Sequence, residues 1–164
     1  MKKLFLAAAM TVLIGSFSTV FATGENTTFN GDEGTTLVKY SLSEGYTITI
    51  PGEFSLTPGS EIEKQVSAEG AVLSEGKTLN VSIKGANCQE NRWYISDENN
   101  SYVYELKKGS AESKTAVENN SVILSVPAGT TEKVTTNLYF SLGENTVTKA
   151  GTYSDTLTFT VSVD

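Results

Sequence analysis

Tyr153-Ser154-Asp155-Thr156-Leu157-Thr158-Phe159-Thr160-Val161-Ser162-Val163 is the stretch whose reading decides the fold. From Leu157 onward, apolar residues alternate one for one with Thr and Ser. A helix brings every third or fourth residue to one face, whereas a strand brings every second. Leu157, Phe159, Val161 and Val163 therefore share one face of a strand and point to a core. β-Branched Thr158 and Thr160 suit the pleated solvent face.

The same period of two runs back along the chain. Val134, Thr136, Leu138, Phe140 and Leu142 alternate over a long segment. Val122, Leu124 and Val126 do so up to Pro127-Ala128-Gly129. Leu79, Val81 and Ile83 alternate with Asn80, Ser82 and Lys84. Tyr46, Ile48 and Ile50 alternate with Thr47 and Thr49 until Pro51-Gly52. Arg92 to Lys107 reads as a hairpin. In it Trp93 and Ile95 point one way and Tyr94 the other, Asp97-Glu98-Asn99-Asn100 makes the turn, and Tyr102, Tyr104 and Leu106 return. Less regular pieces are a first strand through Val38, Tyr40 and Leu42, a short extended piece at Phe54 and Leu56, and a run through Ile62, Lys64, Val66 and Ala68. Lys108 to Asn120 reads as a polar loop with a short irregular strand. About nine or ten short strands split by Gly, Pro and Asn predict an all-β fold: a single Ig-like or pilin-like antiparallel β-sandwich over residues 35–164. A β-barrel is the alternative.

Residues 1–22 read as an export signal. Lys2 and Lys3 form a positive start, Leu4 to Gly15 carry no charge, and Val20 and Ala22 suit a signal peptidase cut before Thr23. The apolar run is short for a membrane span, which needs roughly 20 residues. An uncleaved anchor is the alternative. Thr23 to Gly34 has few apolar residues and many turn formers, and reads as a flexible N-terminal arm. The expected location is therefore secreted or at the cell surface, with no membrane span after cleavage.

Composition excludes several chemistries. The 164-residue chain has no His, so neither a Ser-His-Asp triad nor a His-ligated zinc site can be built. Its only Cys, Cys88, cannot form a disulfide within the chain. Cys88 lies in a loop-like segment and reads as a free, passive thiol, with intermolecular pairing as the alternative. Beyond the signal, ten Lys and Arg face nineteen Asp and Glu, a net of −9 that repels nucleic acid phosphates. Asp97 to Asn100 offer oxygen ligands, but consecutive residues do not make an EF-hand, and a turn accounts for them. The remaining acids are scattered and fix no glycosidase pair. No cofactor or metal site is expected, and the chain is not expected to be an enzyme.

Two features point to binding. Tyr94, Tyr102 and Tyr104 on the hairpin form a candidate platform for glycans, since aromatic rings stack on sugar faces. Trp93 beside them reads as core. Val38, Tyr40 and Leu42, behind the flexible arm, form a candidate strand for exchange with an open sheet edge of another copy.

Ala150 to Val163 resembles the end of spore coat protein U-type and related fimbrial domains, in which a Gly-x-Tyr-x-Asp turn precedes the final strand. Here that turn is Gly151, Tyr153 and Asp155. The order of Tyr102-Val103-Tyr104-Glu105-Leu106 followed by Val126-Pro127-Ala128-Gly129 is also similar. Tyr46 stands where that family carries an early-strand cysteine. The tail is similar as well to WxL-type cell-wall-binding domains, with Phe159 in place of their Trp. Both resemblances imply a bacterial envelope β-sandwich without enzymatic activity. The expected function is a structural or adhesive surface subunit that associates with itself or other envelope proteins; a carbohydrate- or cell-wall-binding module is the alternative.

Overall fold

A computed structural model of the chain describes residues 40–144 and 146–164. The signal, the arm and Val38 lie outside the described residues. Within them the protein is all-β, with nine strands: β1 (Gly45–Thr49), β2 (Glu61–Val72), β3 (Thr78–Gly85), β4 (Trp93–Ser96), β5 (Ser101–Ser110), β6 (Ser113–Ala116), β7 (Ser121–Pro127), β8 (Val134–Ser141) and β9 (Leu157–Val163). No helix among the described residues is long and apolar enough to cross a membrane.

Two antiparallel sheets form the sandwich. The larger runs β1-β2-β8-β5-β4, with β6 also on β5, and the smaller runs β7-β3-β9. Both sheets end in edge strands, so the barrel alternative is not realised. β3 is the middle strand of the smaller sheet, and its Leu79, Val81 and Ile83 are completely buried. Val66 from β2 and Leu138 and Phe140 from β8 meet them from the larger sheet. Burying a Val, Leu, Ile or Phe side chain contributes about 1.5–3 kcal/mol. These six are therefore among the main stabilising contacts of the described core, in a chain with no internal disulfide.

The hairpin forms as the sequence predicts, with Trp93 opposite Tyr104 and Ile95 opposite Tyr102. Asp97 closes its turn, because Oδ1 accepts the backbone N–H groups of Asn99 and Asn100 at 2.8 and 2.6 Å. This local pattern is the Asx-type turn that the sequence predicts at Asp97. Trp93 is buried, and its indole N–H donates to the Val117 carbonyl at 2.9 Å.

Three local expectations are corrected. Tyr40 and Leu42 lie in no strand and are 83% and 63% exposed; the first described strand starts only at Gly45. Phe54 and Leu56 also form no strand, yet both pack on the core, with the Phe54 ring 4.8 Å from that of Phe140. In β7 the alternation slips by one. Val81 pairs with Leu124 but Ser82 with Val122, so Ile123 is an inserted bulge residue. Ile123 and Leu124 both turn inward, and Val122 is left 41% exposed.

Candidate functional site

The three hairpin tyrosines do not form one platform. A strand pleat sends neighbours to opposite faces, and the register puts Tyr94 opposite Val103 while Tyr102 and Tyr104 share the side of Trp93 and Ile95. Tyr104 is buried, so its ring offers no face to a sugar. Tyr102 is half-buried and stands edge-on to Tyr153, with centroids 4.8 Å apart at 88°. Tyr94, half-buried, belongs to the outer face with Val103.

Tyr104 instead serves a polar anchor whose members the sequence names separately but does not bring together. Its hydroxyl donates to Asp155 Oδ2 at 2.8 Å. Asp155 Oδ1 also accepts the backbone N–H groups of Asn87 and Thr156 at 3.0 and 2.8 Å. The acid of the Gly-x-Tyr-x-Asp turn thus ties the β3–β4 loop, the hairpin and the start of β9 together. Burial, followed by the bond to Asp155, pushes the Tyr104 phenol far above its ordinary range. Tyr153 in the same turn donates to the Lys149 carbonyl at 3.1 Å, and burial with the Tyr102 contact raises its phenol to about 12. Cys88 is half-buried beside this anchor. Burial first, then the Asp155 charge, raises its thiol pKa, which lowers its thiolate fraction and its reactivity.

The second feature is the outer edge of β9. β9 is the last strand of its sheet, and its other side has no partner among the described residues. Thr78 and Asp164 exchange both backbone hydrogen bonds at 2.9 and 3.0 Å, and Ala86 N–H donates to the Thr156 carbonyl at 2.9 Å. Bonded and non-bonded pairs alternate along an antiparallel ladder. By the β3–β9 register, Thr158, Thr160 and Ser162 therefore bond to β3, and Leu157, Phe159, Val161 and Val163 aim their N–H and C=O groups outward. The side chains of these same four residues face the core but are only half-buried. One row of residues thus offers unpaired backbone groups and partly open apolar side chains. Tyr40 and Leu42, the described part of the expected exchange segment, are exposed and do not cover this edge by strand pairing.

No protein-family model matches the chain, and no curated protein matches it. Among solved structures, the chain is similar to one from a chaperone–tip adhesin complex described as vital for synergistic activation of CFA/I fimbriae biogenesis. The TM-score is 0.47 at 16% identity, covering 71% of this chain and 41% of that one. The chain thus spans less than half the length of this structural neighbour.

Proposed function

We propose that the chain is an exported, non-enzymatic subunit of a bacterial cell surface that associates by strand addition at β9. The observation that carries this reading is the β9 edge, where outward backbone groups and half-open apolar side chains belong to the same four residues. Folded proteins blunt free edges with charges, Pro, bulges or short strands. Other edge strands among the described residues carry such devices. β7 has a bulge and ends in Pro127, β1 has five residues and an irregular register, and β4 has four residues and a bridge from Ser96 to Ser154. β9 has seven residues, no charge, no Pro and no register shift.

The occupant is an alternating segment of a second copy, Val38, Tyr40 and Leu42. Main-chain bonds would give generic affinity, and the apolar side chains would set the register against Leu157 to Val163. The preceding residues Thr23 to Gly34 would serve as the tether.

The test is Val161→Pro against Thr160→Pro. Proline removes an N–H. At Val161 the lost group points outward, so the fold survives and only strand addition is blocked. At Thr160 the lost group belongs to the ladder with β3, so the fold itself weakens. Molar mass is measured by light scattering after size exclusion, with reductant present to exclude Cys88 disulfides. The expected result is concentration-dependent multimers for the wild type and a folded monomer for Val161→Pro. A wild type that stays monomeric at every concentration, or a Val161→Pro chain that associates as strongly as the wild type, overturns the reading.

A further inference from the structure

Three Asn-x-Ser triplets lie among the described residues: Asn80-Val81-Ser82, Asn99-Asn100-Ser101 and Asn119-Asn120-Ser121. In an exported chain this pattern can accept an N-linked glycan, provided the middle residue is not Pro. The triplet alone does not make a site. An Asn amide nitrogen is a poor nucleophile, because its lone pair is shared with the carbonyl. A transferase must therefore grip the whole side-chain amide and the hydroxyl two residues on. The structure distinguishes the triplets by whether those groups are within reach.

Asn80 lies on β3, the middle strand of the smaller sheet. Its Nδ2 donates to Asp164 Oδ2 at 3.1 Å, and its Oδ1 accepts from Ser125 Oγ at 2.7 Å. Both ends of that amide are engaged, and the middle residue, Val81, is completely buried. A transferase would have to draw out the central strand to reach it. Asn119 is half-buried, and its Oδ1 accepts Gly85 N–H at 3.2 Å. Its partner hydroxyl is committed as well, since Ser121 Oγ donates to the Glu118 carbonyl at 2.7 Å.

Asn99 differs on each count. It is exposed and sits with Glu98 at the apex of the β4–β5 hairpin, where Asp97 N–H donates to the Asn100 carbonyl at 2.9 Å. Asp97 Oδ1 accepts the Asn99 backbone N–H at 2.8 Å, which fixes the main chain of the turn. The Asn99 side-chain amide makes no hydrogen bond among the described residues. Its neighbour Asn100 shows the contrast: the Asn100 amide donates to Asp97 and accepts from Lys149 Nζ at 2.8 Å. Ser101 is exposed, and its Oγ lies 2.9 Å from Ser96 Oγ. That contact joins two surface hydroxyls, and exchanging it for another partner costs little. The turn thus presents an open amide and, two residues on, a reachable hydroxyl.

We propose that Asn99 is the acceptor site for an N-linked oligosaccharide. The donor is a glycan carried on a polyprenyl diphosphate, and a membrane oligosaccharyltransferase supplies the catalysis. Asn99 Nδ2 forms a bond to the anomeric carbon of the first sugar. The bond from that carbon to the diphosphate oxygen breaks, and its electron pair leaves on the diphosphate. One Nδ2 proton passes to a base of the transferase, and nothing is oxidised or reduced. This inference rests on the export reading, which brings the chain to such an enzyme, and is independent of strand addition at β9.

The experiment incubates the purified, folded chain, expressed from its complete sequence, with a bacterial single-subunit oligosaccharyltransferase and its polyprenyl-diphosphate-linked oligosaccharide in detergent. A short acceptor peptide in parallel shows that the enzyme is active. Mixing in solution makes the result independent of export, which is read separately from whether residues 1–22 are missing from the chain recovered from cells. The intact mass should rise by one glycan, and peptide mapping should place it on Asn99. Asn99→Gln and Ser101→Ala, each checked for folding by circular dichroism, should lose the adduct, and Ser101→Thr should keep it. The proposal is overturned if the folded wild type stays unmodified while the peptide reacts, or if the glycan maps to Asn80 or Asn119. It is also overturned if folded Asn99→Gln or Ser101→Ala is modified as fully as the wild type.

Discussion

Replacing Tyr104 by Phe removes one oxygen from the interior and nothing else. That oxygen donates to Asp155 Oδ2 at 2.8 Å, from a side chain that is 4% exposed. A hydrogen bond to a carboxylate contributes about 1.5–3 kcal/mol, so at neutral pH Tyr104→Phe should be less stable by about 2 kcal/mol. Asp155 keeps its two backbone donors from Asn87 and Thr156, which holds the loss to that range. The pH dependence is more diagnostic. Burial raises the native phenol pKa well above its unfolded value of about 10. The native state therefore keeps its proton where the unfolded chain gives it up. The stabilisation is fully present below about pH 10 and is lost as pH rises, by about 1.4 kcal/mol per unit for this one group. Tyr104→Phe lacks the titration. The gap between the two proteins should shrink above pH 10 and close at about pH 11.5, where one and a half units have removed about 2 kcal/mol. Tyr153, raised to about 12, is present in both proteins, so its contribution cancels. Urea unfolding followed by far-ultraviolet circular dichroism at stepped pH measures the difference. A gap that stays constant from pH 7 to 11.5 would refute the burial of Tyr104 against Asp155.

Three further expectations concern packing around the same core. A Cβ on Gly85 would lie 2.8 Å from Trp93 Cε3 and Cζ3 and 3.0 Å from Asp155 Oδ2, so Gly85→Ala should cost about 1–3 kcal/mol and lower the melting temperature. Trp93→Phe leaves the Val117 carbonyl without its indole donor, which should cost about 1–3 kcal/mol in urea unfolding; an unchanged midpoint would contradict the bond. The bulge in β7 predicts opposite sensitivities for neighbours: Ile123→Ala should cost about 3 kcal/mol and Val122→Ala under about 1 kcal/mol, and equal losses would argue for unbroken alternation.

Several elements were legible because their causes are local. The hairpin turn is written in Asp97, whose carboxylate accepts the amides of Asn99 and Asn100, and the strand at Leu79 to Ile83 is written in unbroken alternation. Trp93 as core was legible for the same reason. The β7 slip was not, because Val122, Ile123 and Leu124 are three apolar residues in a row, and either phase satisfies the pattern. The glycan platform at Tyr94, Tyr102 and Tyr104 groups residues that are close along the chain, but the pairing register separates Tyr94 from the other two and buries Tyr104. Asp155 was legible as the acid of the closing Gly-x-Tyr-x-Asp turn, but only the fold brings Asn87 and Tyr104 to it.

The amino-acid sequence by itself determined the fold class, because a period of two in hydrophobicity admits a strand and excludes a helix at each segment. It also determined what chemistry is absent, since no His and a single Cys leave no triad and no internal bridge. Strand order was decided only by the tertiary structure. Leu79 and Val161 both sit in cleanly alternating segments, yet β3 lies between two partners and its Leu79, Val81 and Ile83 are fully buried, while β9 lies at an edge and its apolar side chains are half-open. Alternation states which face a side chain takes; it carries no information on which strand lies alongside. The β9 edge is a place where, among the described residues, a ladder lacks its next strand, and such an edge exists only once the strands have found their places.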